Sequence, residues 1–309
     1  HARARAAAVA PVLVTHDAGE PIYLRGDRLT GEQLTLLRRE REEFRARAGI
    51  AAIWLPRFGL FGVFGLLVTL GGAFIARAFP RGPHKPVRLI AMGTLLAGML
   101  AATVVVAAQV PQFLLPAAIA PTLVVTVVLL LAYDQRMGLF FAVMHAAVVT
   151  TALEASWSLF VLLAIGAGAL VAQLRTVRHR NSLIRASIVT AAALGTASLL
   201  LDIMTMPLVS GITGDIVTRA AWAVTSAIGV GFFILGVLPS IERLFDITTG
   251  MTLAELRDPS QPLLRELQQR APGSYNHSLQ VASIAEAAAD AIGADSLLLY
   301  VGALYHDVG

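Results

Sequence analysis

Long apolar segments recur along this chain from residue 55 onward, and short polar or charged stretches separate them. A helix needs about 20 apolar residues to cross a hydrocarbon core about 30 Å thick. By this criterion the pattern predicts seven membrane-spanning helices, at residues 55–76, 87–108, 113–132, 137–153, 156–173, 184–201 and 217–239. The fourth and fifth segments are short and only Glu154 and Ala155 divide them, so their separation into two helices stays open.

The composition agrees with a membrane protein. Hydrophobic residues make up 56% of the 309 residues and charged residues 14%, against about 45–50% and about 25% in soluble domains. There are no cysteines, which excludes a disulfide framework and a thiolate metal site, so any metal must be bound through nitrogen and oxygen. The net charge of +4 does not indicate a nucleic-acid polymer as partner, because the basic residues cluster beside the apolar segments.

The distribution of basic residues predicts the orientation of the spans. Connections after the second, fourth and sixth spans carry only Arg219 between them. Connections after the first, third, fifth and seventh spans carry Arg77, Arg81, Lys85 and Arg88, then Arg136, then Arg175, Arg178, Arg180 and Arg185, and finally Arg243. Because basic loops face the cytoplasm, this predicts a plasma (inner) membrane protein with its N-terminal segment outside and its C-terminal segment inside. Five arginines between residues 38 and 47 do not fit an external N-terminal segment. Long translocated segments are, however, largely exempt from the rule that positive charge stays in the cytoplasm.

The polar ends of the chain predict further domains. Residues 1–50 are interpreted as the C-terminal part of a small α/β extracytoplasmic sensor domain, with strands at 12–14 and 22–24 and a helix opened by a Thr30–Gln33 capping box. Residues 51–240 are the seven-transmembrane region, and 241–270 a juxtamembrane connector. Residues 271–309 begin a cytoplasmic domain with helices at about 275–292 and 294–307, divided at Gly293. Outside the N-terminal segment the predicted fold is all-α, and we expect a fragment at both ends.

The end of the chain carries the strongest candidate chemistry. His306 and Asp307 follow an apolar run, and His277 lies upstream near the start of the preceding helix. Imidazole and carboxylate are ligands of divalent transition metals, and an adjacent His and Asp can reach one metal centre. A carboxylate in an apolar setting is costly unless it is paired, hydrogen-bonded or metal-bound. His277 taken alone would more often be a capping or surface residue, so both interpretations stay open at this point.

Polar residues within the apolar segments have a second set of interpretations. His145 lies within the fourth span, and an intramembrane ionisable residue is a functional candidate by default. A neutral histidine hydrogen-bonded inside the bundle is the preferred interpretation. Asp134, Glu154 and Asp202 fall near predicted span ends, where an interfacial position explains them.

Several motifs near the C-terminus resemble a known family. They are residues 271–279 (APGSYNHSL), Glu286 at an acidic position, and residues 305–309 (YHDVG). Residues 244–249 (LFDITT) and 256–259 (LRDP) resemble the connector between membrane and soluble parts in the same family. Together with the seven predicted spans, these motifs resemble the seven-transmembrane HD family, whose soluble domain is an HD-superfamily metal phosphohydrolase.

The resemblance implies a function and a site. It implies hydrolysis of the cyclic dinucleotide cyclic di-AMP to linear pApA, regulated by an unknown ligand of the extracytoplasmic domain. His277, His306 and Asp307 are implied as metal ligands, with His306 and Asp307 at the catalytic centre and Asp307 placed to bridge a pair of divalent metals, manganese or iron. Asn276 departs from the family, because many members have a histidine there.

Two expectations complete the sequence-based account. The family's remaining histidines and final aspartate would lie beyond Gly309, so we expect residues 1–309 alone to be inactive. The rival hypothesis is a non-catalytic multi-pass receptor or transporter whose terminal helices dock a partner. The sequence leaves the metal, the outer ligand and the oligomeric state open.

Overall fold

The computed structural model describes residues 21–23, 29–78, 86–174, 180–205, 212–245 and 247–308. The chain divides into two compact units, residues 1–59 and 60–309. The described residues form helices and no strand. The helices are α1 (Gly31–Arg47), α2 (Ile50–Ala78), α3 (Pro86–Gln109), α4 (Leu114–Ala132), α5 (Gln135–Ala152), α6 (Trp157–Gln173), α7 (Arg180–Thr205), α8 (Ile212–Phe245), α9 (Gly250–Leu256), α10 (Pro262–Arg270), α11 (Pro272–Ile292) and α12 (Ser296–Leu304).

The N-terminal unit confirms the predicted capping box. The backbone N–H of Gln33 donates to Thr30 Oγ1 at 3.3 Å, and the N–H of Thr30 donates to Gln33 Oε1 at 2.9 Å, so each side chain satisfies a free donor at the start of α1. The predicted strand at 22–24 is not observed where the structure describes it, because Ile22 and Tyr23 lie in a bend. The predicted strand at 12–14 lies outside the described residues.

Helices α2–α8 correspond in order to the seven predicted spans. Five of the described helices, α2, α3, α4, α7 and α8, are long and apolar enough to cross a membrane. The 17-residue α6 is apolar but shorter, and the 18-residue α5 is not among the five, so seven spans stay a prediction. The fourth and fifth predicted spans are two separate helices, joined by a turn in which Glu154 has a φ of 49°.

Helix α4 lies at the centre of the bundle. It contacts α3, α5, α6 and α8, and most of its side chains are buried. It is apolar around its whole circumference, which is typical of a helix enclosed by neighbours. The main apolar cluster includes residues from α4, α6, α7 and α8, namely Ile119, Leu163, Leu194, Ile234 and Phe245.

Contacts at one end of the bundle join the connections predicted to be cytoplasmic. The hydroxyl of Tyr133, after α4, donates to the Arg88 carbonyl near the start of α3 at 3.4 Å, and its ring packs edge-on against Phe245 at the end of α8. Gln135, at the start of α5, donates to the Leu174 carbonyl after α6 at 3.4 Å. These connections therefore lie together at one end, as the alternating charge pattern requires.

Small residues allow α7 and α8 to approach closely. A Cβ added at Gly231 of α8 would overlap Ser187 Oγ of α7 and lie 2.6 Å from Ser187 Cβ. A Cβ added at Gly195 of α7 would lie 2.7 Å from Val224 Cγ2 of α8. Burial of apolar side chains contributes little to helix association in a membrane, because the lipid is itself apolar. Membrane helices therefore associate through close van der Waals packing, which small residues allow.

Several polar residues of the bundle have hydrogen-bond partners, whereas the buried atoms Thr190 Oγ1 and His145 Nε2 have none among the described residues. The Thr122 hydroxyl donates to a backbone carbonyl of α4, so its oxygen accepts from His145 Nδ1–H at 3.1 Å. The expectation that His145 is hydrogen-bonded inside the bundle is confirmed. Asp202, which is buried, accepts from Arg219 Nε at 3.0 and 3.2 Å, and Asp134 caps the start of α5.

Four helices after the bundle surround a second apolar cluster, which includes Leu253, Leu264, Tyr275, Val301 and Leu304. The two predicted final helices and the break at Gly293, with a φ of 69°, are confirmed. The predicted bounds 294–307 are wrong at both ends. Asp295 caps α12 by accepting from Leu298 N at 3.2 Å, so the helix begins at Ser296, and it ends at Leu304.

Candidate metal centre

The packing of α11 against α12 brings the three predicted ligands together. His277 lies in the second turn of α11, and His306 and Asp307 lie in the turn that follows α12. The chain reverses at Gly293, so the start of α11 lies beside the end of α12. Tyr275 of α11 and Leu304 of α12 are both buried in the second apolar cluster. Each lies two residues before a candidate histidine, so this packing holds the backbones of His277 and His306 close together.

The three side chains can converge on one ion. His277, His306 and Asp307 each offer one ligand atom, and these atoms lie within 4.8 Å of one another. The two imidazole rings are 5.6 Å apart between centroids, and His306 Nε2 lies 3.7 Å from Asp307 Oδ1. Metal bonds to such atoms are about 2.0–2.2 Å long, so ligands of one metal lie roughly 3–4 Å apart. Modest rotation of the side chains closes the difference.

The hydrogen bond of His306 fixes which of its nitrogens can bind a metal. His306 Nδ1 lies 2.7 Å from the Ala303 carbonyl oxygen. A carbonyl only accepts, so Nδ1 carries the proton and the lone pair of the neutral ring is on Nε2. Nε2 is also the nitrogen nearer Asp307. A ligating histidine that donates its other N–H to a backbone carbonyl is the usual arrangement at metal sites, so the donor set fits a divalent metal.

The site is more open than the sequence indicated. The side chains of His306 and Asp307 are 37% and 50% exposed, and His277 is also exposed. The argument that an apolar setting makes the Asp307 carboxylate costly is therefore wrong, because Leu297, Val301 and Leu304 of α12 turn toward the second cluster whereas Asp307 lies in the turn that follows the helix. What supports a ligand role is the convergence of the three side chains.

Sequence reasoning missed the residues that connect this site to the membrane side of the molecule. Arg257, just after α9, donates to both oxygens of Glu286 on α11, and the Tyr305 hydroxyl donates to the Leu256 carbonyl at 2.9 Å. Burial raises the pKa of Tyr305 above its ordinary value of 10.0, so this hydroxyl stays protonated and able to donate. Glu286 stood out only through the family resemblance, and no local spacing links it to Arg257.

Comparison with family models gives two adjacent matches. Residues 54–249 match the family described as 7TM receptor with intracellular HD hydrolase, and residues 274–309 match the HD domain. The second match contains all three candidate ligands. No solved structure matches the chain.

Two curated relatives share part of the sequence. The cyclic-di-AMP phosphodiesterase PgpH of Listeria monocytogenes is 52% identical over 83 residues, which cover 26% of this chain and 12% of the relative. The protein of the same name from Bacillus subtilis is 43% identical over 95 residues, covering 31% of this chain and 13% of the relative. The matched stretches thus span about an eighth of the length of these relatives.

Proposed function

The chain belongs to the family of 7TM receptors with an intracellular HD hydrolase, and from this membership we propose that it is part of a membrane-bound, metal-dependent phosphodiesterase acting on a cyclic dinucleotide. The observation that carries the proposal is the convergence of His277, His306 and Asp307 within 4.8 Å, inside the segment that matches the HD domain. The proposal that the protein is membrane-bound is supported by five described helices that are long and apolar enough to cross a membrane.

We propose the following organisation. Residues 1–50 end an extracytoplasmic sensor domain with its own unknown ligand, 51–240 form seven spans, 241–270 connect them to the HD domain, and 271–309 begin that domain in the cytoplasm. The positive residues beside Arg88, Gln135 and Phe245 support this orientation in the plasma membrane, because these residues lie at one end of the bundle.

His277, His306 and Asp307 are the proposed metal ligands, and Asp307 is the one able to bridge two ions because a carboxylate has two oxygens. Their nitrogen and oxygen atoms suit manganese or iron. When bound, such a metal pair supplies activation of water for attack on phosphorus and neutralises charge on the phosphate oxygens. The part played by this chain is to hold the imidazole of His306 with Nε2 toward the site, through its Nδ1–H bond to Ala303.

Cyclic di-AMP is the proposed substrate, and linear pApA the product. The names of the two relatives support it, since both are cyclic-di-AMP phosphodiesterases with 52% and 43% identity over the matched stretches. A phosphodiester carries negative charge, which divalent cations bound by these residues would neutralise.

The test is a hydrolysis assay on the product of the complete reading frame, purified in detergent with manganese and supplied with cyclic di-AMP or cyclic di-GMP. We expect conversion of cyclic di-AMP to pApA that stops when a chelator is added and resumes when manganese is restored. Binding of cyclic di-AMP without conversion would favour the rival, a non-catalytic receptor, and conversion that ignores the chelator would overturn the metal-dependent mechanism.

A further inference from the structure

Helix α9 belongs to two apolar cores at once. Met251 packs against the main cluster of the bundle, whereas Leu253 is buried in the second cluster with α11 and α12. At the start of α9, Glu242 of α8 accepts from the backbone N–H of Thr249 at 2.9 Å and from the Thr252 hydroxyl at 2.7 Å. Two hydrogen bonds therefore connect the start of this seven-residue helix directly to the end of α8.

The other end of α9 meets both helices that position the candidate ligands. Arg257 donates to Glu286 of α11 through two bonds, Nη1 to Oε1 at 2.8 Å and Nη2 to Oε2 at 3.2 Å. Its guanidinium also lies 4.0 Å from the centroid of the Tyr300 ring of α12. One planar side chain therefore bonds the helix of His277 and stacks on the helix that leads to His306.

A third contact reaches the residue beside the ligands. The hydroxyl of Tyr305 donates to the Leu256 carbonyl at 2.9 Å, and Tyr305 immediately precedes His306. The last carbonyl of α9 and the Arg257 side chain thus hold the start of the ligand turn and the two helices in one arrangement.

We propose that Arg257 is a positioning residue for the metal centre, which sets the spacing of His277 against His306 and Asp307 and makes that spacing depend on where α8 places α9. The proposal rests on the proposed function in that the three residues are taken as metal ligands. A two-bond arginine–carboxylate pair has a fixed geometry, and an arginine stacked on an aromatic ring is held in plane, so Arg257 constrains direction as well as distance.

The proposal rests on the geometry of the Arg257–Glu286 pair and not on its contribution to stability, because both side chains are partly exposed. The side chains of Arg257 and Glu286 are 43% and 29% exposed, and such pairs contribute little to global stability. Groups hydrogen-bonded directly to metal ligands change metal affinity by about 10–100-fold when they are removed. Arg257 acts through Glu286 and Tyr300, which are not ligands, so we expect an effect at the low end of that range. A loss confined to the metal centre, with the fold intact, is therefore the signature of a positioning role.

The experiment compares variants of the intact protein in lipid nanodiscs. R257Q removes the guanidinium that donates two bonds to Glu286, and R257K keeps the positive charge without the planar geometry. Y305F removes only the hydroxyl that donates to the Leu256 carbonyl. R270Q is the matched control, because Arg270 pairs with Glu266 at 3.1 Å within α10 alone. Two quantities are measured: the affinity for manganese from the electron paramagnetic resonance signal of free Mn²⁺, and the rate of amide hydrogen exchange in residues 297–308 of metal-free protein.

We expect R257Q and Y305F to weaken manganese binding by about tenfold and to speed exchange in residues 297–308, with R257K in between and R270Q like the parent. Parent-like affinity and exchange in R257Q would overturn the proposal. If R257Q fails to fold, R257K and Y305F decide by the same two criteria. If the parent itself binds no manganese, the proposed function fails. Faster exchange in R257Q and not in R270Q would then still show that Arg257 positions the turn of His306 and Asp307, and equal exchange would refute that role.

Discussion

The imidazole rings of His277 and His306 lie 5.6 Å apart between centroids, although one belongs to the start of α11 and the other to the turn after α12. Their proximity depends on the packing of two helices rather than on a local motif. Tyr275 and Leu304, both buried in the second apolar cluster, hold the two backbones together on either side of the rings. Anything that shifts α11 against α12 will therefore change the candidate metal centre.

Removal of a single ligand should abolish metal-dependent turnover. H277A, H306A and D307A each remove one of three converging ligand atoms, so we expect a loss larger than the about 10–100-fold typical of an outer partner of a metal ligand. D290A is the control, because Asp290 is an exposed carboxylate on α11 outside the ligand group. The measurement is the rate of cyclic di-AMP hydrolysis at saturating manganese. Activity retained in all three alanine variants would refute the ligand assignment.

Removal of the Glu242 carboxylate should loosen the start of α9. Glu242 Oε1 accepts two hydrogen bonds, from the Thr249 N–H and the Thr252 hydroxyl, and these would be left without that acceptor in E242A. An unsatisfied, partly buried donor costs about 1–3 kcal/mol. We therefore expect amide hydrogens of residues 249–256 to exchange faster in E242A. E266A, which changes an exposed glutamate of α10, should leave that rate unchanged, and equal exchange in E242A and the parent would contradict the role of this contact.

A methyl group at Gly231 should destabilise the bundle. The added Cβ would overlap Ser187, so α7 and α8 must separate, and overpacking of this kind costs about 1–3 kcal/mol. G229A lies on the same helix, where an added Cβ meets nothing within 4 Å, and serves as control. The measurement is the thermal unfolding midpoint of the detergent-solubilised protein. A midpoint for G231A equal to that for G229A would show that the close approach of α7 and α8 is not required.

The Asp202–Arg219 pair should respond asymmetrically to single and double substitution. Asp202 is 5% exposed and accepts both bonds from Arg219 Nε, so R219Q leaves a buried carboxylate without its cation. We expect R219Q to lower stability by about 1–3 kcal/mol. The double variant D202N/R219Q should recover most of the loss, because removing both charges of a buried pair is often nearly neutral. Thermal unfolding of the single and double variants measures how strongly the two side chains stabilise each other. An equal loss of stability in R219Q and in D202N/R219Q would contradict the prediction.

Hydrophobic periodicity predicted the positions of the helices well, and for a physical reason. An apolar segment between charged ends has one stable solution in a bilayer, so α3, α4, α7 and α8 lie where the pattern places them. The Thr30 capping box and the break at Gly293 were predictable because each depends on residues within a few positions. The end of α12 at Leu304 was missed, although the hydrogen bond between His306 Nδ1 and the Ala303 carbonyl in the following turn spans only three residues.

The contacts around the site show where sequence reasoning stops. The ligand set came from family resemblance, because the spacing of His277 and His306 does not by itself specify how two helices pack. The two-bond pair of Arg257 and Glu286 joins a residue just after α9 to a residue of α11. No pattern of positions in the sequence relates the two, so only the tertiary arrangement reveals the pair. The partial exposure of Asp307 was also missed, because the last helix was predicted to run through residue 307, whereas Asp307 lies in the turn after α12.

The manganese content of the purified protein shows most directly whether His277, His306 and Asp307 bind a divalent metal. The product of the complete reading frame is loaded with manganese, freed of unbound ion, and analysed for metal per chain beside H277A, H306A, D307A and the control D290A. We expect bound manganese in the parent and in D290A and a loss in each of the three ligand variants. Equal manganese content in all five proteins would contradict it.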